Sequence, residues 1–185
     1  EQWVAGARPR TLPAAFAPVI AGTAAAGLGA RPVYGYALLA LVVALALQVG
    51  VNYANDYSDG IRGTDADRVG PVRLVGQRLA LASNVKLMAF LCFGFAGIVG
   101  LALVALSGAW LMLPIGVLSV IAAWKYTGGE RPYGYSGWGE VFVFVFFGLV
   151  PVVFTAYVQT LTITAAAVVG GIGVGLLSCA ILITN

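Results

Sequence analysis

Asn52, Asn55, Asp56 and Asp59 recur at spacings of three and four residues, and Gly60, Arg62, Gly63, Asp65, Asp67 and Arg68 follow directly. Residues three and four apart share a helix face. On a helix, Gln48, Asn52, Asp56 and Asp59 therefore form one polar stripe, with Asn55 beside it. Two carboxylates one turn apart can share a hard divalent cation. Mg²⁺ is commonly held by one or two carboxylates together with substrate phosphate oxygens. The sequence contains no His, and its two cysteines, Cys92 and Cys179, lie far apart in apolar runs. Imidazole bases, His ligands and paired-Cys ligands are thereby excluded, which leaves an oxygen-ligand metal. Arg62, Arg68 and Arg73 neighbour the acids in sequence, and Lys125 and Arg131 stand in a later polar stretch. Acids for Mg²⁺ and bases for phosphate oxygens together describe a diphosphate site. Asp-Gly-rich stretches also form turns, so Asp65 and Asp67 fit a turn as well as a ligand role. Gln48 fits a helix–helix hydrogen bond as well as a site role.

The elements that must position these residues are membrane helices. Of 185 residues, 61% are hydrophobic and 9% charged, against about 25% charged in an average soluble domain. A soluble domain of this size has too little interior to hide that much apolar surface. Six apolar stretches approach the roughly 20 residues that a bilayer crossing requires: about 11–30, 34–55, 86–106, 109–126, 140–159 and 162–184. Pro13, Pro18, Pro114 and Pro151 fall inside them, as membrane helices permit when neighbouring helices satisfy the freed backbone groups. Gly170, Gly171, Gly173 and Gly175 suit close helix contact. Ser83 is expected to cap the third helix.

Numbering the loops alternately places Arg8, Arg10, Arg62, Arg68, Arg73, Arg78, Lys86, Lys125 and Arg131 on one side and leaves Arg31 on the other. Excess Lys and Arg mark the cytoplasmic face. All acidic residues share that side, so the chemistry is expected there. The expected fold is all-α, a polytopic transmembrane helix bundle forming a single domain over 1–185.

The motif Asn52-x-x-Asn55-Asp56-x-x-Asp59, then Gly63-x-Asp65, resembles the first Asp-rich motif of the UbiA superfamily of intramembrane prenyltransferases. Its form is similar to the variant in the subfamily that prenylates 1,4-dihydroxy-2-naphthoate. Three further segments agree: Trp3 to Pro13 around Arg8-Pro9-Arg10-Thr11, the basic loop Arg68 to Val75, and Tyr126 to Tyr135 followed by Gly139-Glu140. The resemblance covers nearly the whole chain. It departs from relatives with ubiquinone-type acceptors at Gly63, where those often carry a third Asp; here the acid comes at Asp65. The superfamily also has a second Asp-rich motif after a later helix, and Asn185 stands where that motif should begin. The resemblance thus implies six spans of an expected nine, the first two-thirds of the enzyme. A polypeptide ending at Asn185 is then expected to be inactive.

The resemblance further implies Mg²⁺-dependent transfer of a polyprenyl group from polyprenyl diphosphate to 1,4-dihydroxy-2-naphthoate. Diphosphate and CO₂ would be lost and demethylmenaquinone formed, as in menaquinone biosynthesis. Asn52, Asp56, Asp59 and Tyr126 would be catalytic; Asp56, Asp59 and Asp65 would hold metal; Arg62, Arg68, Arg73, Lys125 and Arg131 would bind diphosphate. The expected setting is the bacterial cytoplasmic membrane, with the lipid bilayer as partner, no nucleic acid, and the site facing the cytoplasm. Alternatives are another UbiA-type aromatic prenyltransferase, a CDP-alcohol phosphotransferase and a membrane transporter. Asp56-x-x-Asp59-Gly60 opens the phosphotransferase pattern, but Ile61 to Thr64 does not continue it. One-sided charge argues against a transport path, which needs polar residues across several spans.

Overall fold

The computed structural model describes residues 1–63, 72–126, 128, 132 and 137–184. Its elements, in order, are helix α1 (Gln2–Ala7), a 3₁₀ turn (Pro9–Thr11), α2 (Pro13–Gly27), α3 (Tyr34–Arg62), α4 (Ala82–Ser107), a second 3₁₀ turn (Trp110–Met112), α5 (Leu113–Lys125), α6 (Gly139–Val143), a π turn (Phe144–Leu149), α7 (Val150–Thr160) and α8 (Ala165–Thr184). The chain is all-helical among the described residues, as its composition predicts.

Four helical stretches are long and apolar enough to cross a membrane: Tyr34–Arg62, Ala82–Ser107, Gly139–Thr160 and Ala165–Thr184. The other two expected spans are shorter apolar helices, Pro13–Gly27 and Trp110–Lys125. Proline sets both starts. Pro13 occupies the first turn of α2, and Pro114 follows the tight turn that leads into α5. Proline lacks the N–H that would extend a helix backwards through it. Ser83 does not cap α4: the N-cap is Leu81, with no side-chain hydrogen bond.

Burial is inverted relative to a soluble bundle. On α8, Ala167, Gly171 and Gly175 are buried while Val169, Leu176, Leu177, Ile181 and Ile183 are exposed. Large side chains facing outward suit a lipid solvent, and small ones facing inward let backbones approach. A Cβ on Gly171 would lie 3.0 Å from the Cα of Leu149, and one on Gly175 2.7 Å from the Phe144 ring. A Cβ on Gly148 would collide with the backbone of Gly175. The glycines thus let α8 sit directly on the π turn.

The π turn has a local cause. Pro151 offers no N–H, and its ring crowds the carbonyl four residues back. The Val150 N–H donates to Val145 O, five residues back. This widened turn accommodates the proline and rotates the register of what precedes it. Around these contacts α3 packs chiefly on α4, and α2 on α7. The polar end of α3 lies against α1 and the segment after residue 72.

Candidate functional site

The polar stripe forms as its spacing predicts. Gln48, Asn52, Asp56 and Asp59 are all buried on α3. Each reaches a different part of the chain. The Gln48 Nε2 donates to Thr11 Oγ1 at 3.2 Å. The Asn52 Nδ2 donates to the same oxygen at 2.9 Å and to Ala7 O at 2.8 Å. One turn of polar side chain therefore fastens the N-terminal segment to α3. Arg8, in the left-handed conformation at φ 52°, ends α1 and turns the chain toward Thr11, whose hydroxyl donates back to Arg8 O. The Tyr53 hydroxyl donates to Trp3 O at 2.8 Å, and the two rings meet edge to face.

Asp56 and Asp59 engage the segment after residue 72. Asp56 is fully buried, and its two oxygens accept the backbone N–H groups of Leu74 at 2.8 Å and Val75 at 3.1 Å. Hydrogen bonds to a charged acceptor contribute about 1.5–3 kcal/mol each. Asp59 pairs with Arg73 at 3.5 Å, both side chains nearly buried. The segment closes on itself through Leu79 and Ala80 N–H groups on Leu74 O, with Arg78 left-handed at φ 57°. Two glycines admit it. A Cβ on Gly60 would lie 2.5 Å from the Val75 side chain, and one on Gly6 2.7 Å from Leu74 Cδ1.

The remaining expected residues divide. Arg62 and Lys125 lie at the exposed surface, Arg62 donating to Ser58 O within its own helix. Tyr126 follows α5 immediately and belongs to the site electrostatically. Burial pushes its phenol up, and the carboxylates of Glu140 and Asp59 push it further. Asp65, Arg68 and Arg131 lie outside the described residues. The structure therefore brings together Asn52, Asp56, Asp59 and Arg73, with Tyr126 at the end of α5 near enough to feel the charge of Asp59. Sequence reasoning missed Lys86, whose ammonium stands 5.5 Å from the Tyr57 ring centre and 5.9 Å from that of Trp124. These rings stack at 6.2 Å. No spacing rule links residues on three different helices.

Two apolar cavities lead away from the stripe. The smaller, about 70 Å³, is lined by Gln48, Val51, Ala123, Phe147 and the first turns of α2. The larger, about 180 Å³, runs to Leu101, Val104 and Met112 at the far end of the bundle. Ser119, one of the polar residues at the boundary, has its hydroxyl satisfied by Ile115 O at 2.8 Å.

Among the described residues no three His, Cys, Asp or Glu side chains converge as a metal cage. The donor set nevertheless suits Mg²⁺. That ion seldom sits in an all-protein cage and takes one or two carboxylates, completing its shell with water and phosphate. Asp56 and Asp59 are such a pair. Each ionised carboxylate has about four lone-pair sites, so the two N–H groups on Asp56 do not exhaust it. An anion would also find Arg73 within reach of the same acids.

Known proteins can now be set beside this geometry. The model of the UbiA prenyltransferase family matches residues 15–185. A 1,4-dihydroxy-2-naphthoate octaprenyltransferase of Mycobacterium tuberculosis is 54% identical over 184 residues, covering 100% of this chain and 63% of its own length. Relatives with the same name in Mycobacterium leprae and Escherichia coli are 53% and 40% identical, again over the whole of this chain and 62% of their own length. The chain thus spans less than two-thirds of these relatives. No solved structure matches it. Family match, relatives and the Asp-bearing end of α3 agree, and the chain belongs to the UbiA prenyltransferase family.

Proposed function

We propose that this chain forms the donor-binding part of a Mg²⁺-dependent polyprenyltransferase acting on 1,4-dihydroxy-2-naphthoate in menaquinone synthesis. The observation that carries the proposal is one continuous arrangement. A buried acid and guanidinium group, Asp56, Asp59 and Arg73, stands at the end of a helix that about two turns earlier, at Gln48, lines the first of two apolar cavities. A polyprenyl diphosphate has the same layout, an anionic head on an apolar tail.

Asp56 and Asp59 would hold Mg²⁺, with Asp65 as a further candidate, and the bound ion would neutralise charge growing on the leaving diphosphate. The chain's own residues supply the rest. Arg73 offers fixed donors to phosphate oxygens, with Arg62, Lys125, Arg68 and Arg131 as further contacts from the surrounding surface. Asn52 orients the N-terminal segment through Ala7 and Thr11. Tyr126, kept protonated by its surroundings, presents a neutral aromatic face near the acids, suited to a developing allylic cation. The apolar cavities exclude water that would otherwise capture that cation. The C–O bond of the donor breaks with its electron pair going to diphosphate. A ring carbon of the naphthoate forms the new C–C bond, and its carboxylate departs as CO₂, returning its bonding pair to the ring.

The positive-inside distribution supports a cytoplasmic orientation in the bacterial inner membrane. The packing of α2 along α7 and of α5 beside α4 supports six crossings in this chain; a bundle of nine rests on the family resemblance. The test is incubation of membranes containing the full-length protein with radiolabelled polyprenyl diphosphate, dihydroxynaphthoate and Mg²⁺. A prenylated naphthoquinone is the expected product. Release of CMP from a CDP-alcohol, or no product from any prenyl donor, would contradict the proposal.

A further inference from the structure

The two apolar cavities have five lining residues in common, and these form the waist between them. Ala44, Leu47, Ser119, Phe146 and Pro151 line both of them. Phe146 is the largest of these side chains. It reaches the waist because of the π turn. On one side the turn is pinned to α8, where Gly148 meets Gly175 and Gly171 meets Leu149. On the other, Pro151 requires the widened backbone. With both sides fixed, the turn cannot relax to ordinary helical register, which would carry Phe146 round the helix. Phe142 stacks on Phe146 at 5.8 Å with the planes 19° apart. Phe142 itself lines neither cavity.

We infer that Phe146 is a specificity-determining residue, a gate that sets how long a prenyl tail passes from the smaller cavity into the larger. The inference rests on the functional reading above. A short tail ends in the 70 Å³ cavity beside Gln48. A long one must pass the Phe146 ring to occupy the 180 Å³ cavity beyond. A wider waist favours long tails, and a narrower one favours short tails. A change of one or a few carbon atoms in an apolar channel shifts substrate preference by roughly 10-fold or more.

The test measures relative kcat/KM for a short and a long prenyl diphosphate with the full-length protein, the acceptor being held constant. Phe146→Leu is expected to raise the long-to-short ratio roughly 10-fold, and Phe146→Trp to lower it by a similar factor. Phe142→Leu, which disturbs the stacked ring without opening the waist, is expected to leave the ratio within about twofold. A ratio unmoved by both Phe146 variants while the unmodified protein still makes product would overturn the gate and leave the functional reading standing. Equal shifts in the Phe142 variant would overturn it as well, by tracing the effect to general packing. No product from the unmodified protein with any donor would overturn the functional reading and the gate together.

Discussion

The polar end of α3 and the contact of α8 with the π turn are both closed, and they are closed by opposite means. At the polar end, long side chains are buried and nearly every one has a named partner: Asn52 on Ala7 and Thr11, Asp56 on Leu74 and Val75, Asp59 on Arg73. At the α8 contact backbones approach because Gly148, Gly171 and Gly175 have no side chains, leaving room for Leu149 and the Phe144 ring. The first region has specificity through polar atoms that must be satisfied inside the bundle. The second has specificity through shape, since apolar surface alone does not draw helices together in lipid. The proposed chemistry lies in the first, and the second packs α8 against the π turn.

Breaking the polar region should have the larger effect. Asp56→Ala leaves the N–H groups of Leu74 and Val75 without their acceptor, at about 1–3 kcal/mol for each buried donor. Hydrogen exchange at those two amides is expected to accelerate and prenyl transfer to disappear; unchanged protection would remove Asp56 from its role in holding the segment. Next comes Gly148→Val, expected to cost about 1–3 kcal/mol by overpacking against Gly175. Gly173→Val is the contrast, because a Cβ there meets nothing within 4 Å. Denaturation in detergent should separate the pair, and equal losses would refute the shape argument. Tyr53→Phe removes one hydroxyl from Trp3 O and should lower stability by about 0.5–1.5 kcal/mol, visible as easier proteolysis of the N-terminal segment.

The smallest effect concerns pH. Tyr126 has its phenol raised by burial and by Glu140 and Asp59. Its contribution is therefore present below the ordinary tyrosine value and is lost as pH rises through the raised one. Tyr126→Phe cannot ionise, so its stability should fall less steeply on the alkaline side. Superimposable alkaline limbs would show that neither burial nor those acids raise the phenol.

Much of the polar region was legible in the sequence. The stripe from Gln48 to Asp59 follows from helical spacing alone, and all four residues fall where that spacing puts them. The partners were not legible. Asp56 meets Leu74 and Val75 across 18 and 19 residues, and it meets their backbone, which carries no residue-type signal. The cation Lys86 over Tyr57 and Trp124 is hidden because the three residues stand on three different helices. The glycines of α8 announced close contact without naming the surface that receives them. Pro151 was readable as a disturbance in a helix, but a π turn is one of several ways to absorb a proline, and α8 packing decides among them. The helices α2 and α5 are shorter than the expected spans because prolines fix where they begin.

Asp56, Asp59 and Arg73 are proposed to form a cation-assisted diphosphate site. It is tested most directly by equilibrium binding of a non-reactive prenyl thiodiphosphate to the full-length protein with and without Mg²⁺. Binding should require Mg²⁺ and should weaken roughly 10- to 100-fold in both Asp59→Asn and Arg73→Ala, the loss of one charge-assisted contact. Tight binding that is indifferent to Mg²⁺ and to both substitutions would mean that these residues do not form a diphosphate site.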